Sequence, residues 1–94
     1  MRTIERASAF KRDYKRVKAT PRHNKDVEAR LSSVVALLLE DQGLPAALRD
    51  HLLSGDWSGY RECHIKPDLL LIYRNTDLST LRLARLGSHG ALFG

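Results

Sequence analysis

Apolar positions along the chain follow first one period, then another. Ala7, Phe10, Tyr14 and Val17 recur at helical spacing, and so do Val27, Leu31, Val34, Val35 and Leu38, with Leu39 beside them. Each stripe predicts a helix with one buried face, and Lys11, Arg12, Lys15, Arg16 and Lys18 fill the other faces of the first. Ser8 stands where a side chain caps that helix, and Pro21 where a helix must stop. Asn24 is the expected cap of the second helix, which should run to about Asp41 with Gly43 as its stop signal. His23 falls in the turn between the two helices as an exposed residue with no special task.

In the second half the period drops to two. Trp57–Ile65 places Tyr60, Glu62 and His64 on one side of a strand and Arg61, Cys63 and Ile65 on the other. Leu69–Arg74 is almost continuously apolar, which predicts a central strand covered on both faces. Ser79–Leu86 sets Leu81, Leu83 and Arg85 against Arg82, Ala84 and Leu86, and Gly87 ends it ahead of the tail Ser88–Gly94. Lys66-Pro67-Asp68 and Asn75-Thr76-Asp77 read as turns, and such short connections predict an antiparallel meander. Residues 2–6 read as a short first strand, and residues 44–56 as a loop with a helical turn at Ala46–Arg49. The expected fold class is α+β: an N-terminal strand and a helical hairpin packed on an antiparallel β-sheet, as one domain over residues 1–94.

Charge sharpens this picture. Residues 1–30 hold ten Lys/Arg against four Asp/Glu, whereas residues 31–94 hold six against seven. A basic N-terminal half suits a polyanion or an acidic protein partner, although a solvated charged helix has the same composition. No apolar run has the length of a membrane span, and the start lacks the apolar core of a secretory signal. Cys63, as the only cysteine, excludes an internal disulfide and fits a reducing cytoplasm, where it should serve as a small buried apolar group.

The candidate chemistry lies in the last half of the chain. His51, His64, Asp68 and His89 are four groups able to move protons or meet an anion. His64 and Asp68 flank one turn, and His89 follows the strand that lies beside the strand after that turn. Such a set suits RNA cleavage without a metal or other cofactor: one group takes the proton of the ribose 2′-OH, and another protonates the leaving 5′-oxygen. Arg85 would stabilise charge gathering on the phosphate, and Phe93 would stack on a base. Simpler readings make Asp68 a turn residue, Arg85 half of a structural ion pair, Phe93 a core plug, and Trp57 and Tyr60 core aromatics. Two histidines and a carboxylate are also a metal-ligand set, but no HxH or HExxH pair holds two ligands on one element.

The run GDWSGYRECHIKPDLLLIYR, with RLGSHGALFG at the end, resembles the YafQ-type toxins of the RelE/ParE superfamily, and the likeness covers nearly the whole chain. The resemblance implies a RelE-like fold and a ribosome-dependent mRNA endonuclease that cuts codons in the ribosomal A site. It places the active site on His51, His64, Asp68 and His89, with a base among the first three and His89 as the acid. It gives Arg85 and Phe93 to substrate binding. It also implies contact between the basic hairpin and ribosomal RNA, and a ribbon-helix-helix antitoxin through which alone operator DNA is bound. A ParE-like inhibitor of a protein such as gyrase is the alternative on the same fold, and it would not need the histidines. One departure stands out: the family pattern has an aromatic after the aspartate, and Leu69 stands there.

Overall fold

The computed structural model describes residues 2–94. Strand β1 (Thr3–Arg6) leads into helix α1 (Ser8–Ala19), a short helix α2 (Pro21–Asn24) and helix α3 (Val27–Leu39). A 3₁₀ turn at Ala46–Leu48 precedes β2 (His51–Leu52), and another at Gly55–Trp57 precedes β3 (Arg61–Lys66). Strands β4 (Leu69–Asp77) and β5 (Thr80–Gly87) follow, and helix α4 (His89–Phe93) ends the described chain.

The two stripes bury as expected: Phe10 and Val17 from α1, and Val27, Leu31, Val34, Val35 and Leu38 from α3. Helix α1 packs on β5 and α3 on β3. Between the two helices an open groove of about 740 Å³ has an apolar floor that includes Phe10, Leu31 and Val35 and a rim that includes Arg6, Lys11 and Lys15. The helix ends differ from the expectation. Ala7 takes the N-cap position of α1, Ser8 is its first residue, and no side chain caps it. Pro21 does end α1, but it also opens α2, where a proline lacks only an N–H that a helix start leaves unpaired. Asn24 therefore lies inside α2, and Asp26, in left-handed backbone (φ 58°), takes the cap position of α3. At the far end Asp41 (φ 57°) rather than Gly43 supplies the left-handed residue. The Gln42 N–H bonds the Leu37 carbonyl and the Asp41 N–H the Leu38 carbonyl, the paired closure of a Schellman motif.

The sheet order is β1-β5-β4-β3-β2, with β4 central and Leu69–Tyr73 buried. Strands β3 to β5 form the expected antiparallel set, and β2, within a stretch expected to be loop, adds an antiparallel edge on β3; β1 runs parallel to β5, Thr3 opposite Thr80 and Arg6 opposite Leu83, so the sheet is mixed. The long excursion through three helices returns the chain in a direction that short hairpins cannot give. Three further expectations need correction. Trp57 belongs to a 3₁₀ turn, and β3 starts only at Arg61. Asn75–Asp77 continues β4, and the chain reverses at Leu78 and Ser79 instead. The simple alternation of β5 fails at Ala84: Tyr73 faces Leu83 while Ile72 faces Arg85, so one extra residue bulges out. Leu86 consequently joins Leu81 and Leu83 in the helix-side core, and Arg85 lies in register with Ile72, outside that cluster. Leu69 is fully buried in the same core. Cys63 is buried there too, and burial pushes its thiol up to about 12, with Asp50 and Glu62 adding to the effect.

Candidate active site

Strand registry assembles the site on the sheet face away from α1 and α3. His51, Glu62, Ile72 and Arg85 stand opposite one another in a row across β2, β3, β4 and β5. His64 shares a face with Glu62, two positions along β3, and starts the next row, opposite Leu70 and then Gly87.

The row turns on Glu62, a buried carboxylate 5% exposed. Its Oε1 lies 3.6 Å from Nε2 of His51 and 3.8 Å from Nε2 of His64, too long for hydrogen bonds. Each ring is oriented from its other nitrogen. Nδ1 of His51 lies 3.0 Å from the Arg49 carbonyl, and Nδ1 of His64 lies 3.3 Å from the Pro67 carbonyl. A carbonyl only accepts, so both Nδ1 atoms carry hydrogen, and in the neutral rings both Nε2 atoms present lone pairs to Glu62. Arg49 meets its part of this geometry in left-handed backbone (φ 53°), which few non-glycine residues adopt. Its neighbour Asp50 pins the start of β2: it accepts from Arg61 Nη2 at 2.9 Å and from the Tyr73 hydroxyl at 2.5 Å. Burial and the Asp50 carboxylate push the Tyr73 phenol well above the ordinary tyrosine range.

The other expected site residues lie around this centre. Asp68 sits in the β3–β4 turn beside His64, and its carboxylate accepts from Arg22 Nη2 at 2.5 Å. Both partners of that pair are largely exposed, so it holds Asp68 weakly, and an incoming ligand can open it. His89 opens α4 two residues past Gly87, at the sheet end where His64 and Asp68 lie. Two strand spacings, about 10 Å, separate the His64 and Gly87 backbones. The His89 ring packs on Phe93 one helical turn later, with centroids 5.1 Å apart, and both residues are exposed. Serine 88 caps this short helix by accepting from the Ala91 N–H.

Arg85 is half of a structural ion pair, as its simpler reading expects. Its Nε donates to Asp13 Oδ2 at 2.6 Å and its Nη2 to Oδ1 at 3.2 Å. Asp13 also accepts from Arg16 at 2.7 Å and from the Leu86 N–H at 3.0 Å. Strand β1 ends opposite Leu83, so this carboxylate serves the edge of β5 where no strand pairs with it. Burial raises the Asp13 carboxyl, but the Arg85 hydrogen bond, the Leu86 N–H and the Arg85 and Arg16 cations outweigh that and hold it below the ordinary range.

Asp13 and Glu62, the buried carboxylates, lie outside the candidate set. Both carried a signal. Asp13 falls between Phe10 and Val17 on the buried stripe of α1, and Glu62 shares its strand face with His64. Chemically, Glu62 with the two imidazoles is a possible donor set, but among the described residues no three such side chains are spaced to hold a metal ion. No helix of the described residues is long and apolar enough to cross a membrane.

Comparison with known proteins shows the family of the chain. Residues 2–94 match the family described as the bacterial toxin of type II toxin–antitoxin system, YafQ. The mRNA interferase toxin YafQ of Escherichia coli K12 is 42% identical over 94 residues, covering 99% of this chain and 97% of the relative. The crystal structure of YafQ from E. coli BL21(DE3) superposes with a TM-score of 0.86 at 39% identity, and the E. coli DinJ–YafQ complex with 0.85 at 40%; each match covers 100% of both chains. The class is therefore that of small α+β toxins of type II toxin–antitoxin systems. Within that class the chain belongs to the YafQ family.

Proposed function

We propose that the protein is a ribosome-dependent mRNA endonuclease that uses acid–base chemistry at the His51–Glu62–His64 group and His89. The observation that carries this reading is the pair of Nε2 atoms turned on one buried carboxylate. One imidazole takes the 2′-OH proton as that oxygen attacks phosphorus. Glu62 steadies the imidazolium so formed, and Asp68 can join once its bond to Arg22 opens. His89, on the far side of the same sheet end, donates a proton to the departing 5′-oxygen. Phe93 keeps the His89 ring in place and offers its own face to a base. Arg85 acts through its charge at the edge of the site while tied to Asp13. The chemistry needs no metal, so a chelator should leave cleavage intact once ribosomal magnesium is controlled.

The basic helices give the protein a hold on ribosomal RNA through phosphates, weakening as salt rises. An antitoxin partner, of the kind the E. coli DinJ–YafQ complex contains, would meet the cationic rim of the α1–α3 groove. The test is translation-coupled mRNA cleavage by His64→Ala and His89→Ala, with circular dichroism as the folding control. Each should lose about 10²-fold or more of its cleavage, and full activity in both would sink the site. The pH profile should be a bell, and a flat one from about pH 5 to about pH 9 would reduce the histidines to electrostatic positioning. Growth arrest with intact mRNA and damaged DNA would favour the gyrase-type alternative.

A further inference from the structure

One row beyond His51–Glu62–Ile72–Arg85, the same sheet face carries arginines and aromatic rings for which neither catalysis nor the core has a use. Arg74 and Arg82 stand opposite each other on β4 and β5, and Glu5 of β1 faces Arg82. Tyr60, two positions before Glu62 on the same side of the chain, lies beneath Arg74, whose guanidinium carbon is 5.5 Å from the ring centroid. Trp57 meets Tyr60 edge to face at 5.3 Å. These rings were expected in the core, but both are half-exposed and lie outside the buried cluster. Gly59 permits the arrangement: its backbone is left-handed (φ +90°), and a Cβ there would meet the Arg74 guanidinium at 3.9 Å.

The cations have unused capacity. Arg74 is exposed and forms no ion pair among the described residues. Arg82 gives Nη1 to Glu5 at 2.5 Å and its Nε is buried, so only the rest of its half-exposed guanidinium and its charge are open to a ligand. An aromatic platform beside guanidinium groups is the standard means of holding single-stranded nucleic acid: the rings take a base and the cations a phosphate. The patch begins about 7 Å along β3 from Glu62, so a strand whose scissile phosphate lies at Glu62 reaches it with its next nucleotide.

We infer that Trp57, Tyr60, Arg74 and Arg82 form a subsite for the nucleotide flanking the scissile phosphate on the bound RNA strand. This rests on the endonuclease reading for its location, but not for its measurement. The probe is a fluorescent 2′-O-methyl RNA dodecamer, which cannot be cleaved, titrated by anisotropy against the whole protein at several salt concentrations. Arg74→Ala should weaken binding about tenfold and lower the slope of log affinity against log salt by about 0.7, the value for one phosphate of a single strand. Tyr60→Leu, which changes no charge, should weaken it about tenfold with the slope preserved. Arg74→Lys should recover most of the loss. Parental affinity in either Arg74→Ala or Tyr60→Leu, with circular dichroism spectra unchanged, overturns the subsite. Translation-coupled cleavage separates the two readings. A parent protein that binds as described but leaves mRNA intact loses the endonuclease assignment alone. One that cleaves mRNA and binds equally well after both substitutions loses the subsite alone.

Discussion

Two buried carboxylates stand on opposite sides of function. Asp13 is 2% exposed and Glu62 5%, so both have left water almost completely. Asp13 is surrounded by donors at hydrogen-bond distance from Arg16, Arg85 and the Leu86 backbone. Glu62 faces two imidazoles that stop at 3.6 and 3.8 Å. A buried charge with every demand met is a clamp, because moving a proton or a partner would only cost free energy. A buried charge held just short of its partners leaves room for a substrate group to come between them. The same residue class thus joins α1 to β5 in one place and faces two imidazoles in the other.

This contrast fixes what substitution should do, and the largest effect belongs to Glu62. Glu62→Gln keeps the shape and removes the charge, and it should cut mRNA cleavage by about 10²-fold or more while leaving the melting temperature nearly unchanged. A large loss of stability with normal cleavage would reverse the two assignments. Next comes Asp13→Ala, which strands two guanidinium groups and a backbone N–H. Denaturant titration should show a loss of about 3 kcal/mol, and less than about 1 kcal/mol would mean that Asp13 clamps nothing.

Acid provides a gentler version of the same experiment. The Asp13 carboxyl is held below its ordinary 3.8. Its stabilising contribution is therefore complete above that value and disappears as pH falls through the depressed folded value. Stability measured from about pH 6 down to about pH 2 should decline in the parent below about pH 4, and Asp13→Asn should lack that part of the decline. The smallest effect is expected at the exposed Asp68 pair. Arg22→Ala should change stability by less than about 1 kcal/mol, and a bigger change would mean that Asp68 is fixed rather than free to turn toward His64.

The helices were legible because periodicity records burial directly: every buried apolar residue of α1 and α3 lay on the stripes. The central place of β4 was legible for the same reason, since Leu69–Tyr73 leaves no polar face. Features that depend on a distant partner were not. Nothing local tells Thr3–Arg6 to run parallel to β5, or His51–Leu52 to extend the sheet by pairing with Arg61 and Glu62. The Ala84 bulge breaks alternation without a glycine to announce it, and so Arg85 was placed with Leu83. The histidines were picked out by their chemistry and by family resemblance. Glutamate on a strand ordinarily means solvent, so the face it shares with His64 is the one local mark of Glu62, and its burial is visible only in the fold.

The parallel union of β1 with β5 bears on how such a toxin is made. Glu5 and its partner Arg82 are 77 positions apart, so the earliest strand to leave the ribosome has nothing to pair with until nearly all the rest has followed. Stalled nascent chains that stop before Thr80 should accordingly be digested readily by protease, and chains extended past Gly94 by a linker should resist it. A polypeptide assembled in that order completes its sheet only after its last strand has been made.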